Sequence, residues 1–212
     1  RFHFEGEHEF WNPETSTELA WYYSTSVNYM FANAAHPLVP IVRELNVTDA
    51  PVLDFSGGVG NNVIYLASQG IKVRYFGIGM MEFALAEYRI RKRGLENLVA
   101  FIRPYSADTD WKFDPVKAAL PRDGSLGAIL ALDVLEHIPD YHHVVKAMVD
   151  SIRVGGIIVE QSPFSEPKND GKADVRVHVS DGGVSMAAAM GPRMKLRKKF
   201  FGTGGLWEKI SE

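Results

Sequence analysis

The chain has 212 residues, of which 46% are hydrophobic and 23% are charged, a composition typical of a globular protein. Its formal net charge of −3 gives no general attraction to nucleic acid or to an anionic membrane, so neither is expected as a partner. The absence of cysteine excludes disulfides and thiolate metal sites and fits a cytoplasmic location. We find no apolar run of the roughly 18 residues that a membrane span needs, and no secretory signal.

Residues 1–48 form a segment that we separate from a single domain at 49–212. Helical spacing predicts a helix over 18–35, and this helix carries an unusual number of aromatic residues. Its rings either pack the helix onto the edge of a sheet or face a bound ligand. Both interpretations stay open at this point.

A buried strand followed by a glycine-rich turn begins at Pro51. The apolar run 51–55 predicts a parallel strand, and the spacing beyond Gly60 predicts a helix. Glycines at positions 57, 58 and 60 let the backbone turn sharply and approach a ligand without a Cβ clash. Open α/β sheets bind nucleoside-type ligands at such a turn, between a strand and a helix N-terminus. Alone, the turn is equally consistent with a tight connection that binds nothing.

Strands and helices alternate beyond this turn, which predicts βαβ units and a parallel sheet. We predict strands over 51–55, 71–77, 98–103, 126–132 and 156–161, and helices over 60–69, 80–93 and 140–153. Gly70 and Gly94 stand where two of these helices should end, and Gly155-Gly156 forms the turn into the fifth strand.

The remaining elements are shorter. A small helix is predicted over 184–190. Cationic and apolar residues alternate over 193–201, which favours a strand with one wet face over a basic docking patch. Residues 206–210 are its predicted partner strand.

A second stretch gives the glycine turn a specific meaning. Residues 131–139 read Ala-Leu-Asp-Val-Leu-Glu-His-Ile-Pro, and residues 54–60 read Asp-Phe-Ser-Gly-Gly-Val-Gly. In order and spacing the two stretches resemble the motifs of class I S-adenosylmethionine (SAM) dependent methyltransferases. The resemblance implies an α/β fold with a Rossmann-like, doubly wound, mostly parallel seven-stranded sheet and helices on both faces. It also implies an antiparallel edge made by the last two strands and an N-terminal helical lid.

The same resemblance indicates which residues bind SAM. The turn would lie under the ribose and the methionine part, although Asp54 can also serve only as a carboxylate that accepts N–H bonds from the turn. Ile78 and Met80 would enclose the adenine. The full set of expected cofactor-binding residues is Asp54, Ser56, Gly57, Gly58, Gly60, Gly77, Ile78, Met80, Ser106, Asp108, Leu132 and Asp133.

Two positions depart from the family pattern. Ser56 replaces the first loop glycine, which is tolerable if its φ is negative. Gly77 stands where an acid would bind both ribose hydroxyls, so a charge-assisted hydrogen bond of order 1.5–3 kcal/mol is missing. Glu82 is a possible substitute, but we expect it at the surface.

Asp133 and His137 are the expected catalytic residues. His137 follows Asp133 by one helical turn, so both side chains can face one cleft. With an unperturbed pKa of about 6.5, a histidine there can take a proton from an attacking hydroxyl or amine, or it can be purely structural. His142 and His143 share no helical face with it, so no metal site is expected. The residues expected to face the acceptor, some of them from the lid, are Tyr22, Tyr23, Tyr29 and His178.

The leading hypothesis is methyl transfer from SAM to an O, N or C nucleophile of a small-molecule acceptor. The alternative is a catalytically inactive SAM-fold protein with a binding or regulatory role, because the ribose acid is missing. A nicotinamide oxidoreductase is disfavoured, since Val63 replaces a required glycine and Gly77 a required acid. The sequence leaves the acceptor and the oligomeric state open.

Overall fold

The computed structural model describes residues 50–77, 79–103, 117, 119–138, 141–162, 185–199 and 204–212, without the side chains of Met80 and His137. The predicted helix over 18–35 and the lid as a whole lie outside the described residues. Within these ranges, every helix is too short or too polar to span a bilayer.

The described residues form one sheet of seven strands. They are β1 (Val52–Phe55), β2 (Val73–Phe76), β3 (Val99–Ile102), β4 (Leu126–Leu132), β5 (Ile152–Gln161), β6 (Met194–Lys199) and β7 (Gly205–Lys209). Their order in the sheet is β3-β2-β1-β4-β5-β7-β6. Strands β1 to β5 pair in parallel, whereas β7 runs antiparallel to both β5 and β6. The doubly wound sheet and its antiparallel edge are therefore confirmed.

Helices cover both faces of the sheet, and a separate hydrophobic core fills each interface. Alternation along β1 sends Leu53 and Phe55 to one core and Val52 to the other, as a strand buried on both sides requires. The helices are α1 (Asn61–Ser68), α2 (Met80–Arg91), α3 (Tyr141–Ser151) and α4 (Met186–Met190), with 3-10 turns at Glu96–Leu98 and Leu135–His137.

Helices α1 and α2 both end at a glycine, as predicted. Gly70 and Gly94 have φ of +80° and +67°, a left-handed conformation that glycine adopts without a Cβ penalty. The following residue closes each helix: the Ile71 N–H donates to the Leu66 carbonyl at 3.1 Å, and the Leu95 N–H to the Ile90 carbonyl at 3.2 Å. Both ends are Schellman motifs, which satisfy carbonyls that a helix end would otherwise leave unpaired.

The fifth strand begins earlier than predicted. It starts at Ile152, directly after α3, and not at residue 156. Its register with β4 shifts from Leu126↔Ile152 to Ala128↔Ile157, so the Gly155-Gly156 pair lies inside a bulged strand. The pair is therefore a kink within β5 rather than the turn that precedes it.

Candidate functional site

The turn after β1 has an unusual backbone. Ser56, Gly58 and Gly60 have φ of 64°, 49° and 78°, three left-handed residues within five. The Gly57 N–H donates to the Phe76 carbonyl at 3.1 Å, and the Gly60 N–H donates to the Gly57 carbonyl at 2.9 Å. The condition under which serine is tolerable at position 56, a negative φ, is thus not met, and this serine carries strain that the family's glycine would avoid.

Two side chains hold the carbonyl side of the turn. The Tyr75 hydroxyl donates to the Gly58 carbonyl at 2.6 Å. Arg89 of α2 donates from Nη1 to the Val59 carbonyl at 2.6 Å and from Nη2 to the Asn61 Oδ1 at 2.9 Å. The turn is therefore fastened to β2 and to α2 through its carbonyls. The amides of Gly58 and Val59 have no hydrogen-bond partner among the described residues, so they are candidates to bind a ligand.

The N-terminus of α1 adds further donors. Its N-cap is Gly60, no side chain caps it, and its first turn contains no acidic residue. The first N–H groups of a helix have no intrahelical partner and attract electronegative atoms. Together with the turn, they form a donor-rich edge at the carboxyl end of β1.

Asp54 lies below this edge and is buried, with 2% of its surface exposed. Its Oδ2 has no hydrogen-bond partner among the described residues. Burial raises the pKa of Asp54 from 3.8 to about 7, because a charge is costly away from water. A Cβ at position 57 would collide with Oδ2, so Gly57 is required for the carboxylate to lie here.

The end of β2 explains the missing acid. A Cβ at position 77 would lie 2.6 Å from the Tyr75 Oη and 3.0 Å from the Phe83 ring, so no side chain fits there. Glu82 is only 3% exposed, and the prediction that it lies at the surface is wrong. Its position follows from the i, i+4, i+8 spacing with Ala86 and Ile90, which form the buried face of α2.

The end of β4 differs in part from the predicted arrangement. Asp133 is exposed, with a φ of 51°, and its N–H donates to the Gln161 carbonyl at 2.7 Å. The next turn is a 3-10 turn that begins at Leu135, so Asp133 and His137 are not one α-helical turn apart as predicted. The side chain of His137 lies outside the described residues, and its catalytic role stays a prediction.

The next strand carries a buried acid that the sequence interpretation missed. Glu160 is 1% exposed, and its Oε1 accepts the Trp207 indole N–H at 3.2 Å. Burial raises the pKa of Glu160 to about 7, and the Trp207 and Gly205 N–H groups offset that effect only in part. A single acid within an apolar strand is the sequence signal that could identify Glu160. Its partner Trp207 cannot be inferred from that signal, because it lies 47 residues further along the chain.

Several predicted site residues lie outside what the structure describes, and so they stay predictions. The backbone of Met80 begins α2, but its side chain is not described. Across the described ranges, no group of three or more His, Asp or Glu residues is placed to hold a metal ion. The residues outside the description are Tyr22, Tyr23, Tyr29, Ile78, Ser106, Asp108 and His178.

Solved structures with this fold share little sequence with the chain. An N-methyltransferase from Haemonchus contortus, in complex with phosphomonomethylethanolamine and S-adenosylhomocysteine, matches with a TM-score of 0.57 and 16% identity, over 72% of this chain and 35% of that one. A protein described by the conversion of a disulfide bond into a thioacetal group during echinomycin biosynthesis matches with a TM-score of 0.56 and 13% identity, over 82% and 81%.

The cyclase SpnF matches with a TM-score of 0.50 and 19% identity, and covers 68% of this chain. The chain spans about half of the length of SpnF, 52%. At these identities the likeness concerns the fold. A comparison with curated protein sequences finds no match.

The sequence pattern of a family described as a methyltransferase domain matches residues 28–185, well over half of the chain. That range contains the glycine turn, the buried acids Asp54 and Glu160 and the β4 motif. The chain belongs to this methyltransferase-domain family, whose methyl donor is SAM.

Proposed function

We propose that this protein transfers a methyl group from SAM to an O, N or C nucleophile of a small-molecule acceptor. The observation that carries the proposal is the turn after β1, where the Asp54 carboxylate is buried next to Gly57 and its Oδ2 has no hydrogen-bond partner among the described residues. A turn with a purely structural role has no need of an unpaired, desolvated acid, which costs free energy.

The space, the donors and the charge near the turn support SAM as the ligand. No atom of the described residues lies within 4 Å of a Cβ built on Gly58, so these residues leave open space beside the turn. The amides of the turn and the start of α1 suit the ribose and carboxylate oxygens of SAM. Asp54, with a pKa of about 7, becomes fully ionised when the ammonium or sulfonium charge of SAM is near.

The carboxyl end of β4 lies next to this turn, because Asp54 pairs in register with Leu130. In the proposal, Leu132 and Asp133 border the methionyl part of SAM. SAM supplies an electrophilic methyl group, so the protein has to align the acceptor with it and exclude water. His137 takes the proton from the acceptor where the nucleophile carries one.

Other parts of the proposal concern residues beyond the described ranges. Ile78 and Met80 enclose the adenine, with Ser106 and Asp108 at its edge. Residues 1–48 cover the site as a lid on the domain at 49–212. The acceptor meets side chains of the lid and of the segment after β5, namely Tyr22, Tyr23, Tyr29 and His178.

Calorimetry and product analysis together test the function. We expect the protein to bind SAM and S-adenosylhomocysteine, and to form S-adenosylhomocysteine from SAM with some member of a panel of phenols, amines and carbon acids. Binding without turnover across the panel would favour the inactive, regulatory alternative. If the protein binds neither SAM nor S-adenosylhomocysteine, the proposal is contradicted.

The assay that detects turnover also tests His137. His137→Ala should lower the turnover number at least tenfold and leave the affinity for SAM within about twofold, because a general base acts on the acceptor. Equal losses in turnover and in SAM affinity would make His137 a structural residue.

A further inference from the structure

Tyr75 contacts several residues of the glycine turn and of the strand ends beside it. It pairs in register with Asp54, its ring is fully buried, and its hydroxyl donates to the Gly58 carbonyl at 2.6 Å. The ring edge also lies 3.0 Å from the Cβ positions of both Gly57 and Gly77. Its contacts therefore reach three glycines at the ends of two strands.

The ring is fixed on its outer side as well. Phe83 packs against it with ring centroids 5.2 Å apart, and Phe101 packs edge-on at 6.3 Å. A ring held by two aromatic neighbours and two glycines has a defined position. Consequently its hydroxyl acts as a rigid donor toward the turn.

The electrostatic surroundings keep that donor protonated. Burial, Asp54 and Glu82 all raise the pKa of Tyr75 well above 10. A phenolate would place a negative charge in a buried position, next to the carboxyl groups of Asp54 and Glu82. The hydroxyl therefore donates to the Gly58 carbonyl at every physiological pH.

We propose that Tyr75 is a positioning residue of the SAM site. Its buried hydroxyl fixes the Gly58 carbonyl and thereby keeps the strained turn open toward the ligand. Position 77 has to be glycine, because the Tyr75 phenol occupies the space that a side chain there would need. This proposal rests on the proposed function for the identity of the ligand. It also accounts for the departure at Gly77, since Tyr75 and Gly77 form a coupled pair.

Tyr75→Phe tests the first part, because it removes the hydroxyl and keeps the ring. Calorimetry with S-adenosylhomocysteine should show an affinity about fivefold to tenfold lower, as expected when a buried carbonyl loses its donor. Amide exchange of Gly57 and Gly60, whose N–H groups are hydrogen-bonded within the turn, should become about tenfold faster when measured by NMR without ligand. Tyr141→Phe is the matched control, because Tyr141 is equally buried but packs in the other core.

Two outcomes of this test would overturn the proposal. One is a Tyr75→Phe protein with wild-type affinity and wild-type exchange in the turn, and the other is an equal loss of affinity in Tyr141→Phe. If the wild type binds neither SAM nor S-adenosylhomocysteine, the proposed function fails, and the exchange rates alone then decide whether Tyr75 holds the turn.

A double-mutant cycle tests the coupling with Gly77. Gly77→Ala places a methyl group 2.6 Å from the Tyr75 Oη, so it should lower the melting temperature and the affinity for S-adenosylhomocysteine. In the Tyr75→Phe background that contact is absent, and the same substitution should have a smaller effect. Equal effects in the two backgrounds would show that Tyr75 and Gly77 are independent.

Discussion

At the scale of single residues, Ser56 has a left-handed backbone that glycine adopts without a Cβ penalty, so Ser56→Gly should stabilise the protein. A left-handed serine costs roughly 1–2 kcal/mol, and the extra freedom of glycine in the unfolded chain offsets part of that gain. We expect the free energy of unfolding in urea to rise by up to about 1 kcal/mol. The control is Ser68→Gly in the last turn of α1, which should lower it by about 0.5–1 kcal/mol. Destabilisation by both substitutions would show that Ser56 is unstrained.

The sequence predicts which of these residues matter better than it predicts their conformation. The glycines and Asp54 are identifiable because a strand, a sharp turn and a helix follow each other within a short stretch. The left-handed φ of Ser56 is not, because it depends on where the turn is tied to Phe76 and Tyr75. The burial of Glu82 is contained in the sequence, since its helical spacing with Ala86 and Ile90 puts it on the buried face of α2.

At the scale of elements, the alternating pattern predicts most strands and helices to within a few residues. The pattern fails at β5, because the bulge at Gly155-Gly156 lets a strand begin immediately after α3. It also fails between Asp133 and His137, where backbone hydrogen bonding to β5 replaces the expected helical turn. Both failures depend on contacts with a neighbouring strand, which local periodicity does not contain.

The close contact between α1 and α2 yields a prediction at this scale. A Cβ on Gly60 would lie 3.0 Å from the Cβ of Ala86, at a φ of +78°. Gly60→Ala should therefore destabilise the protein by about 1–3 kcal/mol through crowding and backbone strain. Adding Ala86→Gly should recover the part that comes from crowding, as measured by urea unfolding. If the double variant loses as much stability as the two single variants together, the contact between positions 60 and 86 does not exist.

At the scale of the whole molecule, two of the buried acids lie at the carboxyl ends of parallel strands, Asp54 in β1 and Glu160 in β5. Asp54 and Glu160 both have a pKa of about 7 in the folded protein, against ordinary values of 3.8 and 4.5. Between those ordinary values and about pH 7, the folded protein keeps protons that the unfolded chain has lost. Stability should therefore fall as the pH rises through this window.

Asp54→Asn tests this linkage. The variant cannot ionise at position 54, so its free energy of unfolding should depend less on pH between about 4 and 7. At pH 8 it should be more stable than the wild type, on the order of a few kcal/mol. Glu160→Gln should act in the same direction, because it removes the second buried acid with a raised pKa. Urea unfolding at a series of pH values gives the slopes, and a wild-type slope in both variants would contradict the account.

The position of SAM above the turn is the central claim, and calorimetry with S-adenosylhomocysteine on a matched pair of variants tests it most directly. Gly58 and Gly94 both have left-handed φ and open space around an added Cβ, but only Gly58 belongs to the turn. Valine at either position imposes a similar backbone strain. We predict that Gly58→Val abolishes binding, as Asp54→Ala does, while Gly94→Val binds like the wild type. Wild-type affinity in Gly58→Val, or an equal loss in Gly94→Val, would contradict the claim.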